Sequence, residues 1–216
     1  MSRKRKKEKP QITPRVFVSW ICARDYDLIP VHYAAIRKLT RDAVVYVWDK
    51  SKDEAPPRLP KGAISIPSDF ERAGNLNGKT CIENMINCYI RLSEMGVERI
   101  VKTDVDTILT ALDWVELGDA VGFHCCNGYH FTGCCYSLAA STIMGIYEYL
   151  KKHDIQPRDG YTLPEDMTFT ILAAITGSKV VILENGEFTC AGFSTPMRNK
   201  PEAVRAVRGV IHCGQW

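Results

Sequence analysis

Asp104-Val105-Asp106 closes the run RIVKTDVD. Two carboxylates at i and i+2 just past a strand end can both turn toward one hard cation, leaving its other positions to water and substrate phosphates. A solvated turn would also be rich in Asp, but the apolar lead-in and the valine between the acids favour chemistry. A second acidic pair, Glu165-Asp166, stands behind Pro164 at the start of a predicted helix. Acids suit a helix N-terminus through the macrodipole alone. Aimed into a cleft, one of them would act as a general base toward an attacking hydroxyl.

Three further groups invite chemistry. AGNLNGKT (Ala73–Thr80) fits a loose P-loop pattern, yet its lead-in is SDFER where a P-loop follows a buried strand. Lys79 can still meet a phosphate from a helix N-terminus. His124, Cys125, Cys126, His130, Cys134 and Cys135 crowd together and raise the question of zinc. Adjacent cysteines are not the spacing that wraps one tetrahedral ion, and buried thiols lining a pocket wall are the preferred reading. His212, in VIHCGQW, becomes a ligand only if the fold brings it to the Asp pair.

These residues need elements to position them. Val16–Ile21 reads as a short apolar strand, followed by a helix over Leu28–Leu39 that Asp27 can cap, with Pro30 in its first turn. Val44–Trp48 has no polar alternation, as in a strand buried on both faces, and a short strand is expected near Ala63–Ile66. Thr80 and Glu83 form a capping box ahead of Ile82, Met85, Ile86, Tyr89 and Leu92, which recur at helical spacing up to Gly96. Strands follow at Arg99–Thr103 and Ala120–Phe123. Another short strand leads into a helix over Ala139–Lys152. A helix opening at Pro164 and ending at Gly177 precedes a strand at Val180–Leu183. The alternation predicts an α/β sandwich with a mostly parallel sheet. In such sheets ligands gather beyond the carboxyl ends of the strands, where Asp104 and Asp106 fall.

Charge narrows the classes. Of 28 Lys+Arg and 25 Asp+Glu, residues 1–10 (MSRKRKKEKP) hold six bases and one acid. The remaining 22 bases and 24 acids make a body of −2 behind a +5 tail, which argues against a nucleic-acid-binding core. Residues 1–14 read as a disordered basic arm able to touch anionic lipid, and residues 15–216 as one domain. Nine cysteines, an odd count scattered through apolar segments, suggest reduced thiols in a cytoplasm. VFVSWICA after the basic run mimics a signal peptide, but Pro14 and Arg15 interrupt it and the apolar stretch is short. No segment approaches the roughly 20 apolar residues of a membrane span.

In this order, DFERAGNLNGKTCIENM, RIVKTDVDTIL, TGCCYSLAAS, LPEDMTFTILAAITG and VIHCGQW together resemble the glycosyltransferases of the GT-A fold, most closely the β-1,3-glycosyltransferase (Fringe-like) group. The resemblance covers most of residues 16–216 and implies a three-layer α/β/α fold and transfer of a sugar, hexosyl or N-acetylhexosaminyl, from a nucleotide-diphosphate donor. UDP is the expected nucleotide, and a glycan or other hydroxyl the acceptor. It further implies that Asp106 and Asp104, with His212, hold Mn²⁺ or Mg²⁺. Asp49 would lie near the base or ribose, and Arg24, Lys79, Thr103 and Asp104 would face the nucleotide or its phosphates. Asp166 would be the base of an inverting displacement oriented by Glu165, and Gly133, His124 and Asn127 would line the sugar or acceptor side. Val105 replaces a third acid common in that group, and Cys134-Cys135 stand where glycines are common. The expectation is a cytoplasmic enzyme without an anchor. The alternatives are a catalytically idle binding module of the same fold and a P-loop phosphotransferase.

Overall fold

The computed structural model describes residues 13–50, 56–68, 79–125, 128–155, 163–183, 188–190 and 210–212. The basic residues 1–12, the loop positions Ala73–Gly78 and Asn127 lie outside them. Thr13 and Pro14 already belong to the body. Ala43 N–H donates to Thr13 Oγ1 at 2.9 Å, and Pro14 O accepts from Glu98 and Arg99.

The central strands form where the sequence is continuously apolar. β1 (Arg15–Ile21), β2 (Ala43–Asp49) and β4 (Arg99–Thr103) are buried along nearly their whole lengths. β3 (Ile64–Ser68) alternates between half-buried and exposed and carries Pro67, as suits an edge strand. β6 (Ala120–Cys125), β7 (Gly128–Ala139) and β8 (Val180–Leu183) complete a seven-stranded sheet in the order β3-β2-β1-β4-β7-β6-β8. The neighbours β3, β2, β1 and β4 run parallel, as do β6 and β8; β7 is antiparallel to both β4 and β6. β5 (Thr107–Leu109), β9 (Phe188–Cys190) and β10 (Val210–His212) make a small second sheet in the order β5-β10-β9.

Helices cover both faces. α1 (Ile29–Leu39) sets Ile29 and Ile36 against Phe17, Val44 and Tyr46. On the other face lie α2 (Lys79–Glu94), α3 (Ala140–Lys152) and α4 (Glu165–Ile175), whose Met85, Tyr89, Ile146 and Phe169 pack with Val16, Val18 and Val45. The architecture is thus α/β with a mostly parallel mixed sheet, compatible with a three-layer fold. Among the described residues no helix is long and apolar enough to cross a membrane.

Three local expectations change. A 3₁₀ turn over Ala23–Leu28 precedes α1, and Asp25 Oδ2 accepts the Cys22 N–H at 2.8 Å at the start of that turn. α1 has Leu28 at its cap position with no side-chain cap bond, and Asp27 is exposed. Pro30 then falls in the first turn of α1, where its missing N–H costs nothing. Lys79 is already helical, so Thr80 sits inside the first turn of α2 and cannot be its cap. The short strand expected before α3 is the twelve-residue β7. Its mixture of Gly, Cys and aromatics carries no clear alternation.

Candidate active site

The strand order reverses direction between β1 and β4. The chain proceeds from β1 outward to β2 and β3, then crosses back to place β4 on the other side of β1. The crevice beyond the carboxyl ends of these two strands is a topological switch point, where open α/β sheets bind ligands. Asp104 is the first residue past β4. Its carbonyl accepts the Thr107 N–H at 3.0 Å and its N–H donates to Cys134 O at 2.9 Å, closing a turn over Asp104–Thr107. Val105 is buried in the apolar cluster below, while Asp104 and Asp106 on either side stay partly exposed. The valine pins the turn, and the acids flank it.

Lys102, one residue inside β4, is the group around which the site is built. It is only 3% exposed, and its Nζ lies 2.9 Å from Asp104 Oδ1 and 2.9 Å from Glu165 Oε1. Nζ also donates to Gly133 O, and it stands 5.7 Å from the centre of the Tyr136 ring. Burial alone would lower the lysine pKa. Asp104, then Glu165, reverses this and holds the ammonium well above its ordinary range. Burial pushes the Glu165 carboxyl upward, with Lys102 opposing and Asp104 adding to the rise. Tyr136 and Tyr89, buried beside this ion cluster, are driven up by burial and then by Glu165, so both remain protonated phenols.

α4 delivers the second acidic pair because Pro164 takes the cap position and forces the helix to begin at Glu165. Asp166 is 7% exposed; its Oδ1 accepts the Met167 N–H at 2.8 Å. Its Oδ2 faces Gly133, where an added Cβ would stand 3.3 Å away. α4 is fastened to β7 by Thr170, whose hydroxyl accepts the Phe131 N–H at 3.0 Å and donates to Asp166 O at 2.7 Å. Asp104, Glu165, Asp166 and Gly133 are therefore brought together.

The remaining candidates are placed as follows. His212 ends β10 and is paired with Thr107, so the strand register carries its backbone to the residue next to Asp106. Asp49 ends β2 and Thr103 ends β4. Both are fully buried and offer no surface to a nucleotide in this conformation. The backbone of Arg24 lies in the 3₁₀ turn that follows β1, and that of Lys79 begins α2. His124 is half-buried on β6, opposite Phe131, where the β6–β7 register shifts. Cys134 and Cys135 are buried free thiols whose pKa values burial pushes up, which makes them poor metal ligands. Among the described residues, no three His, Cys, Asp or Glu side chains are grouped to hold a metal.

Sequence reasoning passed over Lys102 and the tyrosines around it. The signal was present: a lysine between Val101 and Thr103, in the apolar lead-in to Asp104, must find anionic partners once that strand is buried. No protein-family profile matches the chain, and no curated protein matches it significantly.

Proposed function

We propose that this chain is a metal-dependent glycosyltransferase of the GT-A type, moving a sugar from a nucleotide-diphosphate donor, UDP by preference, to an acceptor hydroxyl with inversion. The observation that carries the reading is the convergence of two acidic pairs. One lies at the carboxyl end of β4 in the switch-point crevice and the other on the first turn of α4, and Lys102 joins them. A single pair would suit many turns. Two pairs linked by one buried lysine suit a reaction needing both cation binding and proton removal.

Asp166 is the base in this reading. Its Oδ1 is tied by the Met167 N–H, leaving Oδ2 toward Gly133, where the missing side chain leaves room for an acceptor hydroxyl. Glu165, held by Lys102, fixes the first turn of α4 and so orients its neighbour. In this reading a hard divalent cation would be held by two carboxylates and an imidazole. Asp104 and Asp106 would supply the carboxylate oxygens, and His212, whose backbone the β5–β10 register pairs with Thr107, would supply the imidazole. Bound Mn²⁺ or Mg²⁺ would supply charge neutralisation for the departing diphosphate. The nucleotide would lie beyond the carboxyl ends of β1 and β2, near Arg24, with the glycan acceptor on the Gly133 and His124 side. Residues 1–10 would hold a cytoplasmic enzyme loosely at anionic lipid.

Calorimetry with UDP, with and without Mn²⁺, tests the metal role: binding is expected only with the ion, and equal affinity without it would remove that role from Asp104 and Asp106. In the same preparation Asp166→Asn is expected to cut turnover at least about a hundredfold while leaving UDP binding within about twofold. Near-normal turnover would refute the base assignment. One observation favours the idle-module alternative: Lys102 already neutralises Asp104 and Glu165, two of the four acids. Donor hydrolysis by the purified protein separates the two readings.

A further inference from the structure

The Lys102 ammonium donates to Asp104 Oδ1 at 2.9 Å and to the carbonyl of Gly133, and forms an ion pair with Glu165 Oε1 at 2.9 Å. It is buried on a central strand, one residue from its carboxyl end. Its partners come from three different elements, and each adjoins a residue assigned to the chemistry. We propose that Lys102 is a resident counter-ion of the acidic site, a positioning residue that shares Asp104 with the divalent cation and weakens the binding of metal alone. This rests on the metal-dependent reading above.

The argument is electrostatic. Without Lys102, the half-buried Asp104 and Glu165 would adjoin one another with no cation between them, and with Asp166 next in sequence. The ammonium relieves that repulsion and holds the two pairs at a fixed spacing. A cation held by Asp104 would share that carboxylate with the ammonium, and the repulsion between the two positive charges would oppose its binding. When Asp104 turns to the metal, Glu165 and the Gly133 carbonyl still hold Lys102, so it need not leave its place. A nucleotide diphosphate adds the negative charge that the metal lacks in a site already half neutralised. Metal and donor are therefore expected to bind together, and metal alone weakly.

The test uses the full chain, with Mn²⁺ alone as the probe and loss of the free-ion electron paramagnetic resonance signal as the readout. Wild type, Lys102→Met and the double variant Lys102→Met/Glu165→Gln are compared, each with its melting temperature. The double variant removes the second stranded carboxylate and keeps the test open if Lys102→Met alone fails to fold. Both are expected to bind Mn²⁺ about tenfold more tightly than wild type. A merely structural lysine would leave affinity unchanged or lower it. Wild type binding Mn²⁺ while the folded variants bind equally or more weakly overturns the counter-ion role and leaves the metal site standing. No binding by any of the three removes the metal site, and the counter-ion role with it.

Discussion

His32 shows what full burial does to a single titratable group. It comes from α1 and is 1% exposed, with Nδ1 2.9 Å from the Tyr46 hydroxyl. Its Nε2 has no hydrogen-bond partner among the described residues. Burial lowers its pKa from 6.5 to about 4, with Asp104 pulling it partly back. The unfolded chain therefore takes the proton first as pH falls. The stability His32 contributes is complete above pH 6.5 and is lost as pH drops toward 4. A shift of this size corresponds to about 3 kcal/mol. Urea unfolding of wild type and His32→Gln at pH 7 and pH 4 should show wild type losing about 3 kcal/mol more than the variant. Parallel pH profiles would clear His32 of any part in acid instability. Nothing in its spacing marks this histidine, because an amphipathic helix carries polar residues on every turn. Lys102 differs, since its apolar strand already implies burial, and only the identity of its partners had to wait for the fold.

At the level of elements, the pairing of β6 with β7 keeps the site in place. Gly122 lies under the Phe131 ring so closely that an added Cβ would come within 2.5 Å of its Cδ1. Phe131 is fully buried, stacked on Tyr136 with ring centres 5.9 Å apart, and its N–H is bound to Thr170. It has little freedom to give way. Gly122→Ala should cost about 1–3 kcal/mol through overpacking and lower the melting temperature by several degrees. Because Phe131 is two residues from Gly133, the same variant should also disturb Asp166. A melting temperature within about 1 °C of the parent would show that Phe131 yields freely. This contact was beyond sequence reasoning because β7 gives no period to read. The central strands were legible because burial on both faces imposes an unbroken apolar run. β5, β9 and β10, at three residues each, are too short to show alternation, and they form only through pairing with one another.

Across the whole molecule, charge is divided by location. The body carries a slight negative excess, and Asp104, Glu165 and Asp166 cluster at one end of the sheet, drawn together by β4, β7 and α4. The motifs named these acids, while their convergence required the strand order, which no short motif encodes. The +5 of residues 1–10 stands apart from this site in sequence, so it can act on a different partner without altering the crevice. A basic segment near an anionic bilayer gains about 1 kcal/mol per Lys or Arg, and salt screens it over roughly 10 Å at 0.1 M. The full chain should float with vesicles containing phosphatidylserine at low salt and be released at about 0.5 M salt. Neutral vesicles should not carry it at either salt. Removal of residues 1–10 should abolish flotation while leaving metal-dependent UDP binding unchanged, since the Lys102 cluster draws on none of those residues. Equal flotation with and without them would place lipid contact on the acidic body, where the charge balance gives no reason for it.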